Sequence, residues 1–114
     1  MRWKMGKTMI LWRANPNAPW PVDPVEGAKL NEMLWVGIDS MLKSGKMLEF
    51  GFFPDATSGY AITTEDPTGQ YAGAFSMYPF IVSEIHEIVP YETGKEIGRG
   101  VFKATAEQMA AMKG

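Results

Sequence analysis

The chain has 114 residues, of which 46% are apolar and 21% charged, and eleven Lys and Arg stand against thirteen Asp and Glu for a net charge of −2. That length and composition suit one domain with a real core and exclude a disordered tail. The slight acidic excess offers nothing to neutralise a phosphate backbone, so nucleic acid is not favoured as a partner. The absence of cysteine excludes disulfides, thiolate chemistry and Cys-ligated zinc, and the single histidine, His86, excludes any site within one chain that needs two imidazoles.

Positive charges at Arg2, Lys4 and Lys7 precede the apolar run Met9–Trp12, but Arg13 cuts that run short of a signal-peptide core. No stretch approaches the roughly 20 apolar residues of a membrane span, so we expect a soluble cytoplasmic protein with no membrane partner. Lys7–Ala14 is a short apolar run bounded by turn signals and reads as a strand. Three prolines between Asn15 and Pro21 then hold the backbone extended, and Trp20 gives this loop something to bury. Asp23-Pro24-Val25-Glu26 is a helix start with a cap, a first-turn proline and a capping-box acid. Leu30, Leu34, Ile38, Met41 and Leu42 follow at helical spacing, Gly45 closes the helix, and Trp35 falls off the apolar stripe, where it would face another subunit.

Lys46–Phe53 and Gly59–Thr64 read as strands joined by the turn Pro54–Ser58. Asp66-Pro67 opens a shorter helix to about Met77, weakened by Gly69 and Gly73. Phe80–Val89 is the fourth strand, closed by Pro90. Thr93 with Glu96, and Thr105 with Gln108, mark two further helix starts, with Phe102, Met109 and Met112 as one stripe. The order predicts a single α+β domain over residues 1–114: a ferredoxin-like βαββαβ core over 7–90, with a four-stranded antiparallel sheet, and a helical tail over 91–114. The tail is expected to pack across a partner subunit or over the helices.

Helices cover only one face of such a sheet, yet both alternating sets are largely apolar on most strands. Met9 and Leu11 alternate with Ile10 and Trp12, and Leu48, Phe50 and Phe52 with Met47, Glu49, Gly51 and Phe53. Burying about eight large side chains on the helix-free face would contribute roughly 12–24 kcal/mol as an upper figure, against a typical net stability of about 5–15 kcal/mol. Two copies are therefore expected to pack their sheets face to face as a two-fold homodimer.

This order with a two-sided apolar sheet resembles the dimeric α+β barrel proteins, which include muconolactone-isomerase-like, YciI-like and cofactor-free monooxygenase-like families. The stretches Leu11–Pro16, Glu49–Pro54 and Tyr78–Phe80 resemble small prokaryotic members of that superfamily. The resemblance covers roughly residues 7–92. It implies a homodimer with a pocket between sheet and helices or inside the barrel, and it implies no particular reaction, cofactor or catalytic residue.

Candidate chemistry is sparse. On the fourth strand Glu84 and His86 share one face with Phe80, Val82 and Ile88, so carboxylate and imidazole can meet. Such a pair would serve as a general base beside a carbonyl; the plainer reading is a satisfied polar pair or a dimer contact. Glu49 would act as a neutral acid if the barrel buried it, or would sit in water as a charge guarding an edge strand. Trp12 and Arg13 would line a pocket entrance with Trp20 as its lid, an aromatic wall and a guanidinium suited to a planar carboxylate; alternatively Trp12 is core and Arg13 pairs with a surface acid. Tyr60 is a donor inside the barrel or a cross-strand packing residue.

Two sharper ideas fail on the sequence. His86-Glu87 lacks the second histidine and the helix of a metalloprotease, so no metal set is predicted. Gly59–Ile62 echoes the aromatic third strand of an RNA-recognition module, but Ser58 stands where a basic residue belongs. The nine methionines read as core filler. The functional expectation is a small cofactor-free isomerase or lyase acting on a compact carbonyl or carboxylate compound, with His86 as base, Glu84 orienting it and Arg13 on the anion. The alternative is a non-catalytic dimeric module that binds a small molecule or serves a structural role.

Overall fold

The computed structural model describes residues 6–114, so Arg2 and Lys4 lie outside the described residues. The architecture is α+β: a four-stranded antiparallel sheet and three helices. The elements are β1 (Thr8–Ala14), α1 (Pro24–Ser44), β2 (Met47–Phe52), β3 (Ser58–Thr63), α2 (Pro67–Met77), β4 (Ile81–Glu87) and α3 (Tyr91–Lys113). The sheet order is β2-β3-β1-β4, so β1 lies inside and α1 and α2 each link two strands that flank a third.

The helix termini form where the sequence places them. The Asp23 carboxylate accepts from the Val25 amide at 3.1 Å, Pro24 fills the first position, and Gly45 adopts φ 80° as the left-handed cap. Glu26 does not complete a capping box; it pairs with Lys29 at 3.3 Å. Asp66 repeats the start at α2, accepting from the Gly69 amide at 2.8 Å. The stripe Leu30, Leu34, Ile38 and Met41 turns α1 toward the sheet. Ile38, Met47 and Ala61 form the buried core, with Ile10, Met41, Phe50 and Met77 packed around it. That core is small, and no large side chain among the described residues is fully buried.

Strict alternation fails on β2. A bulge between Met47 and Glu49 inserts Leu48 against no partner, so Met47 joins Phe50 on the helix side, and Leu48 is exposed. The helix α2 inverts the usual arrangement. It presents Gly73 and Ala74 inward, and Tyr71 and Phe75 stack outward at 5.9 Å, continuing to Tyr78 at 6.5 Å.

The tail also departs from expectation. It is one continuous helix of 23 residues that starts after Pro90 without a side-chain cap, and Thr93 and Thr105 lie inside it. Nothing between Tyr91 and Lys113 stops a helix once begun. Gly94, Gly98 and Gly100 each cost about 1 kcal/mol relative to alanine without breaking it. No helix among the described residues is long and apolar enough to cross a membrane.

Candidate functional site

Directly opposed residues of antiparallel strands point to the same side. The register therefore sorts the candidate residues onto two faces. Trp12 pairs with Gly59 and Ser83, and with Ile10 and Ala61 it faces the helices. Arg13 pairs with Ser58 and Val82, Leu11 with Tyr60 and Glu84, and Met9 with Ile62 and His86, so these face away from them. Glu49, opposite Ile62, joins this helix-free face.

On the helix side a cleft of about 440 Å³ opens between the sheet, α1 and α2. Its walls include Trp12, Trp20, Trp35, Phe50, Gln70 and Ser83. The Trp12 ring lies over Gly59, where a Cβ would meet both the indole and the Gly51 carbonyl, so glycine there admits the aromatic wall. It stacks on Phe50 at 5.3 Å and meets Phe52 edge-on at 5.6 Å. Trp12 is 8% exposed, and its Nε1 is the one buried side-chain donor or acceptor among the described residues without a hydrogen-bond partner. Leaving such a group unpaired costs about 1–3 kcal/mol.

Neighbouring polar groups are satisfied. Gln70 donates to Thr8 Oγ1 at 3.0 Å and to the Glu65 carbonyl at 2.8 Å, and Thr63 donates to the Lys46 carbonyl at 2.7 Å. Trp20 is a fixed wall: its Nε1 donates to the Asn15 carbonyl at 2.6 Å and its ring packs edge-on against Phe80 at 4.9 Å. Trp35, half-exposed on α1, lines the same cleft.

The helix-free face carries two preformed pairs. His86 Nε2 meets Glu84 Oε2 at 2.9 Å, with side chains 54% and 69% exposed. Tyr60 donates to Glu49 Oε2 at 2.6 Å, its ring lying over Gly51 and stacked at 6.1 Å on Phe53. The Glu49 carboxylate holds the Tyr60 hydroxyl above its ordinary pKa, chiefly through that hydrogen bond. The strands β3 and β4 flank β1, which puts Tyr60 and Glu84 about 10 Å apart with Leu11 between them. Glu49 and His86 are therefore not brought into one constellation. Arg13 projects beside a shallow groove that includes Phe53, Ser58, Val82 and Glu84, and has no ion-pair partner among the described residues.

Within the single chain, Glu49 and His86 take the plainer of the two places that the sequence allowed each. Glu49 is exposed on the edge strand β2 rather than enclosed. His86 lies on an open face rather than in a pocket, because no described residue covers it. No group of three or more metal-ligating side chains occurs among the described residues. Phe50, Gln70 and Ser83 are cleft residues that the sequence did not single out. The alternation of β4 already placed Ser83 opposite Glu84, but nothing local marked which face the helices take. Comparison of the chain with protein families, curated proteins and solved structures finds no match.

Proposed function

We propose that this protein binds a compact, planar, largely apolar molecule in the helix-side cleft, with a carbonyl or carboxylate oxygen accepting from Trp12 Nε1. The observation that carries this reading is the aromatic-walled space lined by Trp12, whose buried indole N–H has no partner and would reach a ligand once the ring turns. Ligand pockets are apolar with a few well-placed polar groups, and a volume of about 440 Å³ lies within their usual range. A ligand oxygen would complete the hydrogen bond that the chain itself leaves open, and rejecting an analogue without that oxygen follows from the same cost.

The test is a thermal-shift screen of aromatic and cyclic carboxylates and ketones, followed by titration of the hits against Trp12→Phe and His86→Ala. Trp12→Phe keeps an aromatic wall and removes the donor; it should weaken binding about tenfold, the equivalent of 1.4 kcal/mol, while His86→Ala should leave it unchanged. Equal binding by Trp12→Phe would overturn the assignment.

The fold is read as ferredoxin-like, and the protein as a homodimer of the α+β barrel kind located in the cytoplasm. The two helix crossovers and the all-antiparallel pairing support the first part. The uncovered sheet face supports the second: Met9, Leu11, Phe53, Ile62 and Val82 lie there among charged groups, a smaller apolar set than strict alternation suggested. One observation favours a second functional reading, isomerase-like or lyase-like proton transfer. The His86–Glu84 pair shares its face with Arg13 on the adjacent strand; Arg13 is opposite Val82, so Glu84 lies between it and His86, which is four residues, about 13 Å, along β4. Covered by the sheet of a second copy, that face would be enclosed. Turnover of a bound compound that is abolished by His86→Ala would establish this reading; binding without conversion would leave the first.

A further inference from the structure

Among the described residues, no element packs along helix α3. Beyond its first turns it stands clear of the sheet and of α1 and α2, and every residue from Arg99 onward is exposed. At about 1.5 Å per residue it extends some 34 Å, and it draws the molecule out to 76 Å against a cross-section of 28 by 23 Å. The radius of gyration is 20.5 Å, whereas a compact chain of this length has about 13 Å.

Its sequence is not that of a solvated rod. On a helical projection Lys95, Arg99, Lys103 and Lys113 fall with Glu92, Glu96 and Glu107 in one arc of about 120°. The opposite side carries Ile97, Val101, Phe102, Met109 and Met112, all 48–81% exposed. An isolated helix with three glycines is marginal in water and holds its shape by packing an apolar face.

The area tells what kind of partner fits. The chain exposes 8865 Å², where a compact monomer of 12.7 kDa exposes about 6,200 Å². The excess of roughly 2,600 Å² on each chain is more than the about 800 Å² per partner of a standard interface; two chains together would bring it to about 5,000 Å², the upper end of what obligate dimers cover. Four basic and three acidic residues nearly balance along the arm, which does not suit an anionic lipid surface. We propose that α3 is a clasp whose charge-free face grips a second copy of this chain. Reciprocal exchange of the two arms closes the assembly on a two-fold axis, so neither arm remains free to extend it. The proposal rests on the arm alone and needs neither the cleft ligand nor the pairing of sheet faces.

Sedimentation equilibrium of the full chain tests it. Wild type should be a dimer at micromolar concentration. The double variant Ile97→Lys, Val101→Lys should raise the dissociation constant at least tenfold, and so should a chain ended after Pro90, while Lys103→Gln on the charged arc leaves it unchanged. Near-UV circular dichroism of the tryptophans confirms that the sheet and cleft stay folded in each. A monomeric wild type overturns the clasp, as does a dimer equally tight in all four proteins. Monomers whose arm drives binding to vesicles of phosphatidylglycerol overturn it in favour of a lipid surface. Leu11→Lys, on the helix-free face, reports the sheet pairing separately.

Discussion

The two faces of the sheet are built from the same four strands and solve different problems. The helix side gathers aromatic rings around Trp12, with Lys46 and Glu65 the charged residues of the cleft lining, and leaves one buried N–H unpaired. The other side gathers Arg13, Glu49, Tyr60, Glu84 and His86 in water, where two of its polar pairs are already satisfied within the chain. A buried donor without a partner beside a largely apolar cleft invites a ligand, whereas a satisfied pair in water needs a cover before it gains chemical leverage.

Substitution separates the faces most strongly at their centres. Trp12→Ala should cost about 3–5 kcal/mol in urea unfolding, since it empties the helix side of its most buried ring. His86→Ala on the open side should stay within about 0.5 kcal/mol. Similar losses from both would break the distinction. The two glycines beneath aromatic rings give a finer version. Gly59→Ala drives a methyl against the Gly51 carbonyl and the core of the indole and should cost about 1–3 kcal/mol. Gly51→Ala meets only the end of the Tyr60 ring, which can swing into solvent, so its cost should be clearly smaller.

Element order was legible in the sequence because local chemistry encodes it. Asp23-Pro24 and Asp66-Pro67 each cap a helix, and Asp23→Ala or Asp66→Ala should each cost about 1 kcal/mol of stability. Three features were not legible. The bulge at Leu48 comes from pairing across strands, and no local pattern marks it. The single helix from Tyr91 hides behind threonines that look like caps but sit in a helix interior. The division of candidate residues between faces depends on which side the helices choose. Residue type alone grouped Trp12 and Trp20 with Arg13, whereas the register puts Trp12 and Arg13 back to back.

Smaller effects concern pH. Asp55 closes the β2–β3 turn by accepting from the Thr57 and Ser58 amides and the Ser58 hydroxyl, and these bonds, that from Thr57 foremost, hold its carboxyl below its ordinary value. The folded state thus favours the ionised form. Its contribution is present above the ordinary carboxylate range and is lost as pH falls through the depressed value; Asp55→Asn should remove that part of the acid dependence of the melting temperature. Tyr60 behaves in the opposite sense. Its raised pKa favours the protonated phenol, so its contribution holds below the ordinary tyrosine value and is lost as pH climbs through the raised one. Glu49→Gln should bring tyrosinate absorbance in at lower pH. Ala56 in the same turn sits at φ 64°, and Ala56→Gly should stabilise the chain by at most about 1 kcal/mol.

The division of labour between the faces is tested most directly by the indole N–H resonances of the ¹⁵N-labelled protein during titration with an aromatic carboxylate that raises its melting temperature. The account predicts that the Trp12 signal, assigned by its loss in Trp12→Phe, moves to the shift of a hydrogen-bonded indole while the His86 ring signals stay in place. A Trp12 signal that does not move while the His86 ring responds would contradict it.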